Sequence, residues 1–215
     1  MSKFGIKFKG SDKITIKDIL DHKTNIPREL YNKILTQHYN KKEKIITSWN
    51  KKDILDSLKD QTFKRSVFNY NSLHYSLVGI IIEKVSKLSV PQFIRKNILN
   101  PIGMKETSFH SKKNRELFDI QFPTFDIAGN MISTNEDLYK FINSELFKLI
   151  PKTTYYYDKN ILIFDGFNEG PKGVMALIIK YNDVMFIGFM PSLTEKILKK
   201  GFVDKIFDLL IKTYR

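Results

Sequence analysis

The chain has 215 residues, 42% of them hydrophobic, which is enough for one compact domain or two closely packed lobes. It contains no cysteine, which excludes disulfides and thiolate chemistry, and its formal net charge of +13 favours polyanionic surroundings such as nucleic acid, anionic lipid or a phosphate-rich cell wall. The lysines are spread along the whole chain, the pattern of a solvated basic surface. There is no zinc-finger spacing and no arginine-rich helix, so specific nucleic-acid binding is not expected.

Met1-Ser2-Lys3-Phe4-Gly5-Ile6-Lys7 has no apolar core of signal-peptide length, which fits either a protein that is not exported or one whose leader has been removed. Next, Ile14-Thr15-Ile16-Lys17-Asp18-Ile19-Leu20 turns helical, with Thr15 as N-cap and Asp18 at the third helical position; Asn25-Ile26-Pro27 is expected to stop that helix. Residues 28–47 are polar and aromatic and give no clear period. Asn50 caps a short helix over 51–59, with Asp53 in its first turn. Leu73, Leu77, Ile80, Ile81, Val85 and Leu88 fall at helical spacing on a wide apolar face, which predicts a buried helix. Its run Leu77-Val78-Gly79-Ile80-Ile81-Ile82 is the longest apolar stretch and is far short of the ~20 residues of a membrane span.

Ser89 caps the next predicted helix, which has Pro91 in its first turn. Residues 110–124 read as a long loop. Thr134 starts a helix carrying Leu138, Phe141, Ile142 and Leu146 on one face. After Pro151 the pattern changes. Residues 153–164 are β-branched and aromatic, and residues 174–181 and 184–189 form two apolar runs around Asn182-Asp183, a hairpin signal. From Ser192 an amphipathic helix closes the chain. The reading is an α+β fold with a mainly helical lobe over residues 1–150, then antiparallel strands and a terminal helix over 151–215.

Four segments, in order, resemble the serine β-lactamase and penicillin-binding-protein family of the class C type. Residues 14–27 are similar to its Ile-Thr-Ile-Arg-x-Leu-Leu-x-His-Thr-Ser-Gly-Leu-Pro. Tyr70-Asn71-Ser72 stands where the family has Tyr-Ser-Asn opening a buried helix. Pro101-Ile102-Gly103-Met104-Lys105-Glu106-Thr107 resembles Pro-Leu-Gly-Met-x-x-Thr, and residues 128–138 resemble Gly-Gly-Leu-x-Ser-Thr-x-x-Asp-Leu. The resemblance implies a transpeptidase-like fold with altered chemistry.

In the family the nucleophile is the serine of Ser-x-x-Lys, where a lysine one helical turn on lowers the serine's proton affinity. That helix precedes the Ile-Thr-Ile segment by tens of residues. Here thirteen residues precede Ile14 and none forms the motif. Ser48-Trp49-Asn50-Lys51 is the single match, on the wrong side of His22 and astride a helix start. In the second element Tyr70 keeps the phenol, while Ser72 replaces an asparagine that can both donate and accept. The third element, Lys-Thr-Gly or His-x-Gly, corresponds to Gly166-Phe167-Asn168-Glu169-Gly170-Pro171-Lys172-Gly173. Phe167 stands at the cation position, and Glu169 would repel a substrate carboxylate. Tyr70, Ser72, Phe167, Asn168 and Glu169 are thus the vestigial site candidates, with no intact catalytic group, no metal and no cofactor expected. His22, His38, His74 and His110 show no metal spacing, and His22 reads as a packing histidine.

The resemblance implies a cell-envelope pseudo-enzyme, secreted or extracytoplasmic, of a low-GC Gram-positive bacterium such as a staphylococcus. It would bind peptidoglycan, teichoic acid or a protein partner. Two alternatives stand beside this. One is a serine hydrolase (a D-Ala-D-Ala peptidase, esterase or β-lactamase relative) whose Ser-x-x-Lys lies outside this chain. The other is a basic polyanion-binding adaptor, cytoplasmic or not. A missing N-terminal part would leave the 174–189 hairpin and the 73–88 helix short of cover, which favours a homodimer or an obligate partner.

Overall fold

Side-chain caps set where the helices begin. The computed structural model describes residues 1–43, 45–109, 123, 125–150, 156–158, 161–168, 174–181 and 184–191, together with the helical positions Lys205, Leu209 and Lys212. The chain divides into two units: Met1–Pro101 with Ser108–Ile132, and Ile102–Thr107 with Ser133–Arg215.

In the first unit, helix α1 (Ile16–Leu20) opens on a capping box. Thr15 Oγ1 accepts the Asp18 N–H at 3.1 Å, and the Asp18 carboxylate accepts the Thr15 N–H at 2.9 Å. The helix stops at Leu20 and not at the expected Asn25-Ile26-Pro27. His22 takes a left-handed φ of 55°, which turns the chain so that residues 22–26 can pair elsewhere. The segment without a clear period holds helix α2 (Arg28–Gln37), with Tyr31 and Ile34 buried, and a two-residue ladder of β1 (Tyr39–Asn40) and β2 (Ile45–Ile46).

Helix α3 (Lys51–Leu58) has the second capping box. Asn50 Oδ1 accepts the N–H groups of Lys52 at 2.8 Å and Asp53 at 3.2 Å, and Asp53 returns a bond to the Asn50 N–H at 2.7 Å. Asn50→Ala is expected to lower unfolding free energy by about 1 kcal/mol, read from a urea midpoint. An unchanged midpoint would mean that water serves those amides equally well.

Helix α4 (Ser72–Ser86) is the centre of this unit. It buries Leu73, His74, Ser76, Leu77, Val78, Gly79, Ile80 and Ile81, and it packs on α1, α2 and α3. Gly79 is required by a close approach: a Cβ there would sit 1.6 Å from the carbonyl oxygen of Phe125. Helix α5 (Val90–Ile94) begins as expected at Ser89, whose hydroxyl accepts the Gln92 N–H. It continues through a π-helical turn (Arg95–Leu99) into the short α6 (Asn100–Ile102), a feature that no sequence pattern signalled. Strands β3 (Ser108–Phe109) and β4 (Met131–Ile132) pair antiparallel.

In the second unit, Thr134 caps helix α7 (Asn135–Ile142), which ends before Leu146. The buried Asp137 accepts the Glu106 N–H and the Thr107 hydroxyl, both at 2.8 Å, and so fixes the 102–107 loop to this helix. A four-stranded antiparallel sheet follows in the order β5 (Tyr156–Asp158), β6 (Ile161–Asn168), β7 (Val174–Tyr181), β8 (Val184–Pro191). The pairing of Tyr181 with Val184 shows the two-residue connection that Asn182-Asp183 predicted. Ile178 and its partner Ile187 pack with Leu138, Ile142 and Phe147. On the opposite face of β7, Leu177 and Ile179 are also fully buried. Within the first unit, Leu73 and Leu77 of α4 are fully buried as well. The apolar faces expected to lie open are therefore covered at these positions. The predicted terminal helix lies outside the described residues except at Lys205, Leu209 and Lys212.

Candidate functional site

The Tyr70-Asn71-Ser72 turn opens α4 against the segment that follows α1. Asn71 is the N-cap and is wholly buried: its Oδ1 accepts the Leu73 N–H at 3.0 Å, and its Nδ2 donates to the Ile26 carbonyl at 3.0 Å. Both ends of this amide are used in holding the turn. Ser72 is the first helical residue and is half-buried. Tyr70 is 52% exposed, and its ring rests on the His22 imidazole with centroids 4.8 Å apart. Among the described residues no ammonium group or carboxylate is hydrogen-bonded to its phenol.

Beneath Tyr70 lies a buried pair of histidines. His22 Nδ1 and His74 Nδ1 are 2.9 Å apart, and His22 Nδ1 also receives the Asn71 N–H at 3.3 Å. With His22 Nδ1 as acceptor, the network assigns the shared proton to His74 Nδ1. His74 Nε2 then accepts from the Thr24 hydroxyl at 2.8 Å, and Thr24 Oγ1 in turn receives the Ile26 N–H at 3.2 Å. Burial holds both imidazoles below the ordinary histidine range. For His74 burial and then the neighbouring His22 push the value down to about 4. Both rings are neutral at pH 7, as this bonding requires.

One and a half turns along α4, the Ser76 hydroxyl donates to Asp126 Oδ2 at 3.0 Å. Tyr31 adds a long contact of 3.5 Å to the same oxygen, and Asp126 Oδ1 accepts the Ala128 N–H at 2.9 Å. Burial pushes the Asp126 carboxyl up to about 6, and burial followed by the Asp126 charge raises Tyr31. Asn130 Nδ2 closes the loop by donating to the carbonyls of Pro123 and Asp126. None of Thr24, Ser76, Tyr31 or Asp126 was singled out from sequence, and His74 was noted there only as a histidine without metal spacing. The available signal was two polar residues, His74 and Ser76, among the apolar residues Leu73 to Ile81 that α4 buries.

The other sequence candidates fall in the second unit. Phe167 and Asn168 are the last two residues of β6, in register with Met175 and Val174 of β7. Glu169, Lys172 and His110 lie outside the described residues. The single Ser-x-x-Lys match is taken apart by its surroundings. The exposed Ser48 hydroxyl donates to the adjacent Trp49 carbonyl, at 3.4 Å, Asn50 is an N-cap, and Lys51 forms an ion pair with Glu83. His38 makes a 3.1 Å contact with Asp53.

Helices followed by an antiparallel sheet, with a Tyr-initiated buried helix, define a β-lactamase and penicillin-binding-protein-like α+β fold. Residues 6–174 match the Beta-lactamase family model, and the chain belongs to that family. It is 25% identical over 160 residues to Protein flp of Staphylococcus aureus, an alignment that covers 66% of this chain and 31% of that protein. The chain thus spans about a third of the length of the curated relatives it matches. Among solved structures it resembles FmtA of Staphylococcus aureus, with a TM-score of 0.56, 17% identity and coverage of 96% of this chain and 66% of that one. It also resembles a β-lactamase/D-alanine carboxypeptidase of Yersinia pestis, with a TM-score of 0.59, 14% identity and coverage of 90% and 70%. Among the described residues no helix is long and apolar enough to cross a membrane.

Proposed function

We propose that this chain is a non-catalytic member of the β-lactamase family that binds a cell-envelope component or a protein partner. The observation that carries the reading is the state of its one Ser-x-x-Lys match. Activation needs the ammonium group beside the hydroxyl, whereas Lys51 is paired with Glu83 and the Ser48 hydroxyl donates to the Trp49 carbonyl. The turn at α4 supports it. Asn71 is consumed as a cap, Ser72 carries no amide, and Tyr70 keeps its phenol at the surface without a bonded cation among the described residues. On β6 the cation position is Phe167, followed by Asn168 and Glu169. Tyr70 and Ser72 in the first unit, and Phe167, Asn168 and Glu169 in the second, are therefore each read as vestiges of the family's motifs. An extracytoplasmic setting and a Gram-positive source are part of the same proposal, supported by the likeness to staphylococcal relatives.

The test is acylation. The protein is mixed with a reporter penicillin and with a chromogenic cephalosporin, and its intact mass is followed over hours. The expected outcome is an unmodified mass and no colour change. A stable adduct on any serine, or turnover that disappears in Ser48→Ala, would overturn the reading in favour of a working serine hydrolase.

A further inference from the structure

The eleven large hydrophobic side chains that stand exposed among the described residues are not scattered evenly. Five of them, Ile16, Leu20, Val67, Phe68 and Tyr70, belong to α1 and to residues 64–70. Residues 64–70 form a strap tied along residues 22–26. Ser66 N–H donates to the Lys23 carbonyl at 3.0 Å, Asn69 N–H to the His22 carbonyl at 2.7 Å, and Lys64 N–H to Asn25 Oδ1 at 2.7 Å. The Asn69 side chain adds a bond to the Ile26 carbonyl at 3.1 Å. The strap's backbone is thus fixed while its apolar side chains face water. Val67 is 81% exposed and Phe68 61%. The rings of Phe68 and Tyr70 are held in place by resting on His22, at 5.8 and 4.8 Å.

The charge around these residues has one sign in excess. Residues 13–23 and 64–70 carry Lys13, Lys17, Lys23, Lys64 and Arg65 against two carboxylates. Asp18 is buried and paired with Arg65, and Asp21 is paired with Lys17 and Lys23. What remains is a projecting apolar tip with a basic rim. A folded acidic partner would need a cavity to receive a side chain as exposed as Val67. A bilayer accepts a projection anywhere on its surface, favours Phe and Tyr at its interface, and attracts lysines when its headgroups are anionic.

We infer that the Val67-Phe68-Asn69-Tyr70 tip is a docking site for an anionic lipid bilayer, into whose interface Val67 and Phe68 insert while the excess positive charge beside them, Lys64 first, meets the headgroups. This does not depend on whether the chain is catalytic, and it requires no spanning helix. The test is flotation of the full chain with vesicles of phosphatidylglycerol and phosphatidylcholine in equal parts, and with phosphatidylcholine alone.

Binding is expected to the anionic vesicles and to weaken steeply with added salt. The double variant V67S/F68S is expected to bind about tenfold more weakly or worse, because two apolar side chains no longer insert. Lys64→Glu is expected to weaken binding severalfold. Phe68→Trp should give a blue-shifted emission that brominated lipid quenches. All variants change exposed positions; the urea midpoint of Lys64→Glu should match the parent, and the Phe68 variants, which alter the ring contact with His22, are compared below their own midpoints. Failure of the parent to float, or flotation that V67S/F68S leaves unchanged, overturns the inference. So does selective capture of soluble polyglutamate, weakened by the same variants, by a protein that ignores vesicles; the partner is then an acidic protein surface.

Discussion

Replacing Gly79 by alanine is expected to destabilise the protein by about 3 kcal/mol or more, one of the largest losses open to a single methyl group. Helix propensity alone predicts the opposite sign, since alanine is better than glycine inside a helix by about 1 kcal/mol. The close approach decides the matter. The added Cβ would lie 1.6 Å from Phe125 O and 2.8 Å from Phe125 C, and both belong to backbone that cannot rotate away. Relief requires α4 and residues 125–130 to separate, which strains the Ser76–Asp126 hydrogen bond between them. Gly166 on β6 is the matched control, because a Cβ there meets nothing within 4 Å. Gly166→Ala should be neutral or stabilising by up to about 1 kcal/mol. Urea midpoints of the two variants check both statements, and a mild effect at Gly79 would show that the two backbones part easily.

Asp126→Asn is expected to gain on the parent by about 3 kcal/mol between pH 4 and pH 7. In the folded chain the Asp126 carboxyl sits at about 6, above its ordinary 3.8. As pH rises through 3.8 the unfolded chain ionises and the folded chain does not, so the parent loses stability until pH 6. Those two pKa units correspond to about 3 kcal/mol. Asparagine has no such proton to lose, and it fits the same bonds. Its oxygen accepts the Ala128 N–H, and its NH₂ donates to Ser76 and Tyr31, whose hydroxyls are free to turn.

His74 has the opposite sign. Its folded value of about 4 lies below the ordinary 6.5, so its contribution is present above pH 6.5 and is lost as pH falls toward 4, again by about 3 kcal/mol. The two groups oppose one another between pH 4 and 6. The variant should therefore show a steep acid loss that the parent masks. Chemical denaturation at half-unit pH steps reads both effects, and parallel curves for parent and variant would refute them.

The elements that sequence reading placed well are those whose signal is local. Thr15, Asn50 and Ser89 each carry their own partner three residues on, so the cap is written in adjacent letters. The 174–191 hairpin needs only two apolar runs and a short break. Residues 28–47 gave no period because α2 buries just Tyr31 and Ile34, too few to mark a face. The early stop of α1 was missed because its cause is His22 at positive φ, and that conformation is held by partners about fifty residues away. The site followed the same division. Tyr70 and Ser72 were named through a motif, while the Asp126 and His74 networks join residues that no local pattern relates.

Those long separations also govern when the first unit can form during synthesis. The partners of His22 and Thr24 lie at Asn71 and His74, and the partner of Ser76 lies at Asp126. A nascent chain that ends before His74 leaves the His22 imidazole and the Thr24 hydroxyl without their His74 partner, so the α1–α2 stretch gains little by collapsing early. Loop closure over fifty residues also makes the step slow compared with the microseconds in which a hairpin such as β7–β8 closes. Residues 1–101 are thus a stretch whose buried polar groups stay unpaired, and so open to proteases and chaperones, until residue 126 has emerged from the ribosome.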